Sequence, residues 1–404
     1  MRTEEEDRAA ARPDPTWAGL PLEGVLLSLI LFLSLAGNTV ILPVLPAIRQ
    51  EMGLDYTAIA TIVSAYGLGR VILDIPAGFL VDRVSRHGML VVGLALVVGA
   101  SLYGAVAPSH FDLLVTRFLL GAASAVVNTA ILASMSEVPS GGKRTTVLSL
   151  YQNAFNTAQT LFPMVGGLLG TWFHWRSVFW SGAVLGVLTI PLVRWAVRPA
   201  VGRPSGAAAA PAGGARLMSY VPAMAAVYFV IFTGFTNRSG VRNLVLPAYG
   251  GDHLGLDPLA IATSLMVVAL VSIGAAYGGA RLADRFGNRA VVVPALALAA
   301  LADLSLLLAT DHLTLMLVAV GLGFSDLVGG SLTAMLLDVA PARLRGLALG
   351  LYRLTVDSAI MLGPVLLGAL LDAGGYPLPL VVAGVVALIG SAATFTFVRG
   401  RRVA

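Results

Sequence analysis

The sequence predicts an all-α membrane protein with 12 transmembrane helices in two pseudo-symmetric six-helix bundles. Apolar residues make up 57% of the 404 positions and charged residues only 12%, half the usual share of a soluble domain. Most of the surface must therefore face lipid. Twelve stretches reach the roughly 20 mostly apolar residues that a spanning helix needs. They lie near 20–48, 57–81, 88–107, 111–138, 144–171, 176–197, 219–249, 258–282, 289–309, 312–340, 345–371 and 376–398, and are numbered helices 1 to 12. The third observation is a repeat. The stretch GFLVDRVSRH at 78–87 returns 202 residues later as ARLADRFGNR at 280–289, an offset of half the chain. A duplicated half-protein follows.

Residues 1–19, acidic and polar, read as a cytoplasmic tail and not as a signal peptide, whose start would be basic and then apolar. Helices 1 to 6 form the N-terminal bundle, 20–197. Residues 198–218, rich in Pro, Gly and Ala, read as a flexible cytoplasmic linker. Helices 7 to 12 form the C-terminal bundle, 219–398, and 399–404 is a second cytoplasmic tail. Of the 26 Lys and Arg, 19 fall in the tails and loops of one face and five within helices; only Arg49 and Arg176 fall on the other face. Basic loops stay inside, so both termini are expected in the cytoplasm of a multi-pass protein of the inner (plasma) membrane. The net charge of +5 is accounted for by these loops, which argues against a nucleic-acid partner. No cysteine is present, which excludes disulfides and thiolate chemistry.

The repeat runs the length of the chain. Helix 1 ends LPVLPAI before Gly53-Leu54-Asp55, and helix 7 ends LVLPAY before Gly255-Leu256-Asp257. Helix 4 ends at Glu137-Val138-Pro139 with Lys143 and Arg144 beyond; helix 10 ends at Asp338-Val339-Ala340-Pro341 with Arg343 and Arg345 beyond. Helix 5 carries Tyr151 and FPMVGGLLG; helix 11 carries Tyr352 and GPVLLGALL.

On these residues the chain resembles the major facilitator superfamily over nearly its whole length. The family signature between helices 2 and 3 is G-x-L-x-D-R-x-G-R-[KR]; Gly78, Leu80, Asp82, Arg83 and Arg86 match it, while Ser85 and His87 depart. The second copy departs at Ala280 and Asn288. LVTRFLLG at 114–121, with Arg117, is similar to the helix-4 motif of the proton-linked branches. Pro163, Gly166 and Gly167 are similar to the helix-5 antiporter motif, with Phe162 in place of its first glycine. The resemblance points to the twelve-helix drug:proton antiporter branch. It implies a central cavity lined by helices 1, 4, 7 and 10, and alternating access.

A charge at the bilayer centre costs about 2.5–3.5 kcal/mol on insertion scales, so such residues are paired or face water. Arg70 and Asp74 on helix 2 are four apart and share a face, as do Arg353 and Asp357 on helix 11. The resemblance implies that helices 2 and 11, which run antiparallel, pack against each other across the halves; counted at about 1.5 Å per residue from Asp82 and Arg345, Asp74 then lies level with Arg353 and Arg70 with Asp357. Two crossed interdomain salt bridges are expected on that basis, with closure inside each helix as the alternative. Asp82, Arg83 and Arg86, with their repeats Asp284, Arg285 and Arg289, are expected to form the cytoplasmic gate; a carboxylate there meets the positive end of a helix dipole. Gly78, Pro163, Gly166, Gly167, Gly363 and Pro364 are expected to serve helix packing and bending.

Asp326, mid-way along helix 10, is the expected cavity carboxylate for protons or a cationic substrate, with pairing to Arg117 or Arg238 as the alternative. Arg117, Arg238 and Arg242 near one cavity mouth suit an anionic group, since guanidinium binds carboxylate and phosphate bidentately; the alternative is that they serve as partners for Asp326 and for helix-end carbonyls. Asn38 and Asn237 are candidate cavity hydrogen-bonders. Asp303 on helix 9 has no assigned role. The five histidines (His87, His110, His174, His253 and His312) lack metal-ligand spacing, and no Walker-type loop is present. Neither an enzyme nor an ATP-driven pump is indicated, and no cofactor is expected beyond a proton gradient. The expected function is proton-coupled efflux of small amphipathic organic compounds by a monomer in the lipid bilayer. The alternatives are an importer or uniporter of a small organic anion and, third, a receptor that binds without transporting; the lack of an added domain argues against the last.

Overall fold

A computed structural model describes residues 16–17, 20–81, 83–138, 144–197, 221–328, 331–341 and 344–397. The expected linker, Asp82 and most of both tails lie outside these residues. Twelve helical elements follow one another. The first, α1, runs Leu22–Met52 as four short helical pieces. Then come α2 (Tyr56–Leu80), α3 (Arg86–Ala105), α4 (His110–Glu137), α5 (Arg144–Trp172) and α6 (Ser177–Ala196). In the second half, α7 comprises Val221–Asn237, a π-helical segment Arg238–Val245, Leu246–Ala248 and a second π-helical segment Tyr249–His253. It is followed by α8 (Pro258–Phe286), α9 (Asn288–Ser305), α10 (His312–Val339, interrupted by a tighter turn at Ser325–Val328), α11 (Arg345–Gly374) and α12 (Pro377–Phe397). Among the described residues, ten helices are long and apolar enough to cross a membrane. The other two, α5 and α7, carry polar residues in their middles, Gln152, Asn156 and Gln159 in one and Asn237, Arg238 and Arg242 in the other. The sequence reading took all twelve as simple spans and missed the breaks in α1, α7 and α10.

The duplication is visible in individual bonds. Gly53 and Gly255 both take a left-handed backbone, φ 65° and 64°, which glycine adopts without a side-chain clash. The next helix is then capped in each half by an aspartate: Asp55 accepts from the Ala58 amide and Asp257 from the Ala260 amide, both at 2.7 Å. Such caps contribute about 1 kcal/mol each. His110 contacts the Thr61 hydroxyl at 3.0 Å, and His312 contacts Thr263 at the same distance. All these partners are 202 residues apart. Loop and cap chemistry, as well as helix order, is therefore shared by the halves.

With an even number of helices, Leu22 and Phe397 lie on one face, called here the terminal face; the opposite face is distal. The two arginines that broke the charge bias are both paired distally. Arg49 bonds Asp252 at 2.9 Å and Arg176 bonds Glu51 at 2.8 Å. Their charge is matched locally, so neither needs the basic face.

Candidate functional site

Two helices, α2 and α11, bring the halves together through their middles and distal ends. The structure unites the four charges anticipated there. Arg70 Nη2 lies 3.1 Å from Asp357 Oδ1, and Arg353 Nη2 lies 3.3 Å from Asp74 Oδ1. The contacts inside each helix are longer, 3.8 Å for Arg70 with Asp74 and 4.0 Å for Arg353 with Asp357. Both expected alternatives coexist, with the crossed pairs tighter. The cluster is two cations and two anions, so it carries no net charge. Its Arg70 side is the buried one: the Arg70 and Asp357 side chains are 13% and 4% exposed, whereas Arg353 is 45% exposed.

The distal end of the same helix pair is closed. Asp372, at the end of α11, accepts from the Tyr56 and Thr57 amides at 2.9 and 2.7 Å and from the Thr57 hydroxyl at 2.6 Å. A carboxylate of one half thus caps the free N–H groups of a helix of the other, where the helix dipole favours negative charge. Tyr56 and Tyr376 share a hydroxyl bond of 2.9 Å, and Tyr376 donates to the Ala248 carbonyl at 3.1 Å. Burial first, then the Tyr56 hydroxyl, push the Tyr376 phenol above its ordinary range, so it remains a donor. Backbone approach is close as well. A Cβ on Gly67 would stand 2.9 Å from the Met361 backbone, one on Gly368 2.7 Å from Ala60, and one on Gly167 2.3 Å from Ala262 of the other half. Towards the terminal face the pair parts: a Cβ on Gly78 of α2, or on Gly350 of α11, would meet nothing within 4 Å. Gly78 was expected to serve packing, but its own position faces no neighbour, while Ala77 beside it is buried.

In the second half the π-helical turn of α7 points two arginines at α10. Arg242 is 5% exposed. It bonds Asp326 Oδ2 at 2.8 Å, Ser272 at 3.2 Å, the Leu322 carbonyl at 2.7 Å and Ser325 at 2.9 Å. Arg238 is 3.8 Å from the same Asp326 oxygen and has a side chain 41% exposed. Of the readings open for Asp326, arginine pairing is the one present: it is held by Arg242 and, more loosely, by Arg238. The π turn sets which face of α7 meets α10 and so which arginine comes closest.

Arg117 takes the second of its two expected roles. It is not at the cavity mouth with Arg238 and Arg242 but is 1% exposed and sits on backbone carbonyls in the wall of the first half. It donates to the carbonyls of Gly37, Asn38 and Ile62 at 2.7, 3.2 and 3.4 Å and lies 4.9 Å over the Tyr66 ring. Helix α1 breaks around residues 36–44 and frees carbonyls there; a guanidinium with five donors satisfies them. Asn38 enters through its backbone. Asn237 also departs from its expected role. Its side-chain amide, 8% exposed, donates to Asp303 on α9, which is fully buried. Asp303 is the polar group that sequence reasoning left without a role; no spacing signal marks it, since its partner is 66 residues away.

The remaining expected residues divide by position. A Cβ on Gly166 would stand 1.8 Å from the Val40 carbonyl, and one on Gly363 2.4 Å from Ser239, so both glycines are close-approach points within a half. Pro163 and Pro364 lie inside α5 and α11. Around the signature loops, Asp82 is outside the described residues. Arg83, Asp284 and Arg285 are exposed, Arg289 is half-buried and Arg86 is buried. Among the described residues no group of three or more His, Cys, Asp or Glu could hold a metal ion.

Comparison with known proteins agrees with this geometry. The sequence profile of the Major Facilitator Superfamily matches residues 27–283 and 224–403. The multidrug efflux pump LfrA of Mycolicibacterium smegmatis is 25% identical, over 89% of this chain and 82% of its own length. The multidrug resistance protein MdtL of Klebsiella pneumoniae is 25% identical, over 74% and 76%. The inner membrane transport protein YajR of Escherichia coli is 26% identical, but the match spans only 42% of this chain and 37% of YajR. Among solved structures, a peptide transporter POT in complex with sulfate superposes with a TM-score of 0.80 at 15% identity, covering 97% of each chain. A bacterial homologue of the lysosomal transporter Spinster, described as inward-facing and occupied, gives 0.71 at 16% identity over 93% and 96%. The family consists of transporters and not of enzymes, and this chain, a multi-pass membrane transporter with the twelve-helix fold, belongs to the Major Facilitator Superfamily.

Proposed function

We propose that the protein exports small amphipathic organic compounds from the cytoplasm in exchange for protons, by alternating access across the inner (plasma) membrane. The carrying observation is the contrast along α2 and α11: backbone contact at Gly67 and Gly368, open space at Gly78 and Gly350. One gate is shut while the other is parted. The excess of basic residues in the loops of the terminal face supports a cytoplasmic position for the parted side. Substrate then enters from inside, which suits an exporter at the start of its cycle. The names of LfrA and MdtL, both multidrug proteins, support the same substrate class.

The loose Arg238–Asp326 pair is the substrate-facing element. At 3.8 Å, with Arg238 41% exposed, it can open for either charge: a cation displaces Arg238 from Asp326, and an anion takes Arg238. The exposed guanidinium favours, as the second reading, uptake of a small organic anion. An assay in proteoliposomes with an imposed pH gradient and a panel of cationic and anionic compounds separates them. Proton-driven movement of cationic amphiphiles supports export by exchange; movement of an anion with no proton flux overturns it.

A further inference from the structure

Asp303 is unlike the other membrane carboxylates of this protein. Asp74, Asp326 and Asp357 each lie within 4.0 Å of an arginine. Asp303 is 0% exposed and takes one hydrogen bond, to Oδ2 from the Asn237 amide; its Oδ1 has no hydrogen-bonding partner. It lies two residues before the end of α9, which runs on into a tighter turn at Leu306–Leu308, so it is about 9 Å inside the distal end of the span. A carboxylate buried without a cation is costly, and a bound proton removes that cost.

The surroundings are poor in charge. From α7 come Asn237 and Arg242, the latter acting on Asp303 electrostatically from beyond salt-bridge distance. From α10 comes Asp326, already held by Arg242 and Arg238. Helix α12 carries no charged residue, and the charges of α8 in this region of the chain, Arg281, Asp284 and Arg285, sit at its terminal end. One donor nearby is unspent. Arg242 Nε makes no hydrogen bond, while both of its Nη atoms are engaged.

We propose that Asp303 is the proton-binding carboxyl of the transport cycle and that Arg242 reports its charge to Asp326. Uptake forms an O–H bond at Asp303 with a proton delivered by hydronium in the cavity, which leaves as water; the side chain goes from one negative charge to none. With Asp303 neutral, Arg242 belongs wholly to Asp326. When the proton leaves, the new negative charge draws Arg242 through its unused Nε, and Asp326 is freed for a cationic substrate. Proton and substrate thereby compete through one arginine without sharing a carboxylate. Asn237, at the start of the π turn, is the positioning residue that holds the acid against α7. The coupling role rests on the proton-exchange reading above; proton binding itself does not.

Infrared difference spectroscopy on the full-length protein in lipid, across a pH series, tests it. The carbonyl stretch of a protonated carboxylic acid should be present in the wild type and absent in Asp303→Asn. Asn237→Ala should shift the band without deleting it, which covers a failure of the first variant to fold. Asp303→Asn, a shape match for the neutral acid, should lose at least tenfold of the acceleration by an imposed pH gradient, and Asp303→Glu should recover part of it. A spectrum unchanged in both Asp303→Asn and Asn237→Ala overturns proton binding at Asp303, whatever transport shows. A band that disappears in Asp303→Asn while pH-driven transport stays at wild-type rate overturns the coupling role. Wild-type transport without proton movement overturns the exchange reading, and with it that role, while the band decides proton binding separately.

Discussion

Replacing Arg70 with glutamine should damage the protein far more than replacing Arg353 with glutamine, although both remove one cation from the same four-charge cluster. Arg70 lies 3.1 Å from Asp357, with side chains 13% and 4% exposed. At an effective dielectric of about 20, that separation is worth about 5 kcal/mol of attraction. Removing one partner of a buried pair costs about 3–5 kcal/mol, because the other charge is left in the interior. In Arg70→Gln the stranded group is Asp357, whose next cation, Arg353, is 4.0 Å away. Arg353 is 45% exposed, so water screens its bonds, and its loss should cost about 1 kcal/mol or less. Thermal unfolding in lipid nanodiscs, followed by tryptophan fluorescence, reads the difference. The charge swap Arg70→Asp with Asp357→Arg should recover most of the loss, as the coupling term of a double-mutant cycle. Equal damage from the two glutamine variants, or no recovery in the swap, would refute the crossed pairing as the energetic link between the halves.

Other perturbations follow from the same contacts. Asp372→Ala removes the cross-half cap on α2 and should cost about 1 kcal/mol of distal closure, seen as faster labelling of Thr310→Cys on the distal face. Asp252→Asn should loosen the same face through Arg49, by about 1–3 kcal/mol for a lost charged hydrogen bond, and raise the yield of distal-open molecules in cross-linking. Arg117→Lys keeps the charge but cannot reach three carbonyls at once; a loss of about 2 kcal/mol in unfolding, without a change in substrate range, is expected. Gly67→Val should push α2 away from the Met361 backbone and slow transport, while Gly78→Val, where open space surrounds the Cβ, should leave the described conformation intact.

The helices, their order and the duplication were legible because they depend on composition and spacing, which a chain carries openly. The crossed charges were legible for a related reason: four residues at matched depth on two long unbroken helices can be registered by counting residues. The C-terminal cluster was legible only as an alternative, arginine partners for Asp326. Which arginine comes closest depends on the π turn from Arg238 to Val245, which shifts the angular position of Arg242 by a step that no 3.6-residue count foresees. Arg117 was misplaced because the break in α1 creates its carbonyl partners, and a break of that kind leaves only a Gly37-Asn38 step and Pro43 as its trace. Asp303 was passed over because helix 9 was expected to be peripheral; its burial is set by contacts with α7 and α12 that are remote in the chain. The distal gate was missed for the opposite reason. Asp372 and Asp252 look like ordinary loop acids until the helix ends opposite them are known.

The account turns on the two halves rocking about the charged middle of α2 and α11. Spin labels on cysteines introduced into this cysteine-free chain, one pair at Gly78 and Gly350 on the terminal face and one at Pro108 and Thr310 on the distal face, measure that directly by double electron–electron resonance. Adding a transported compound should shorten the terminal distance and lengthen the distal one together, in the same fraction of molecules. Distances that stay fixed, or that change on both faces in the same sense, would contradict alternating access by this chain.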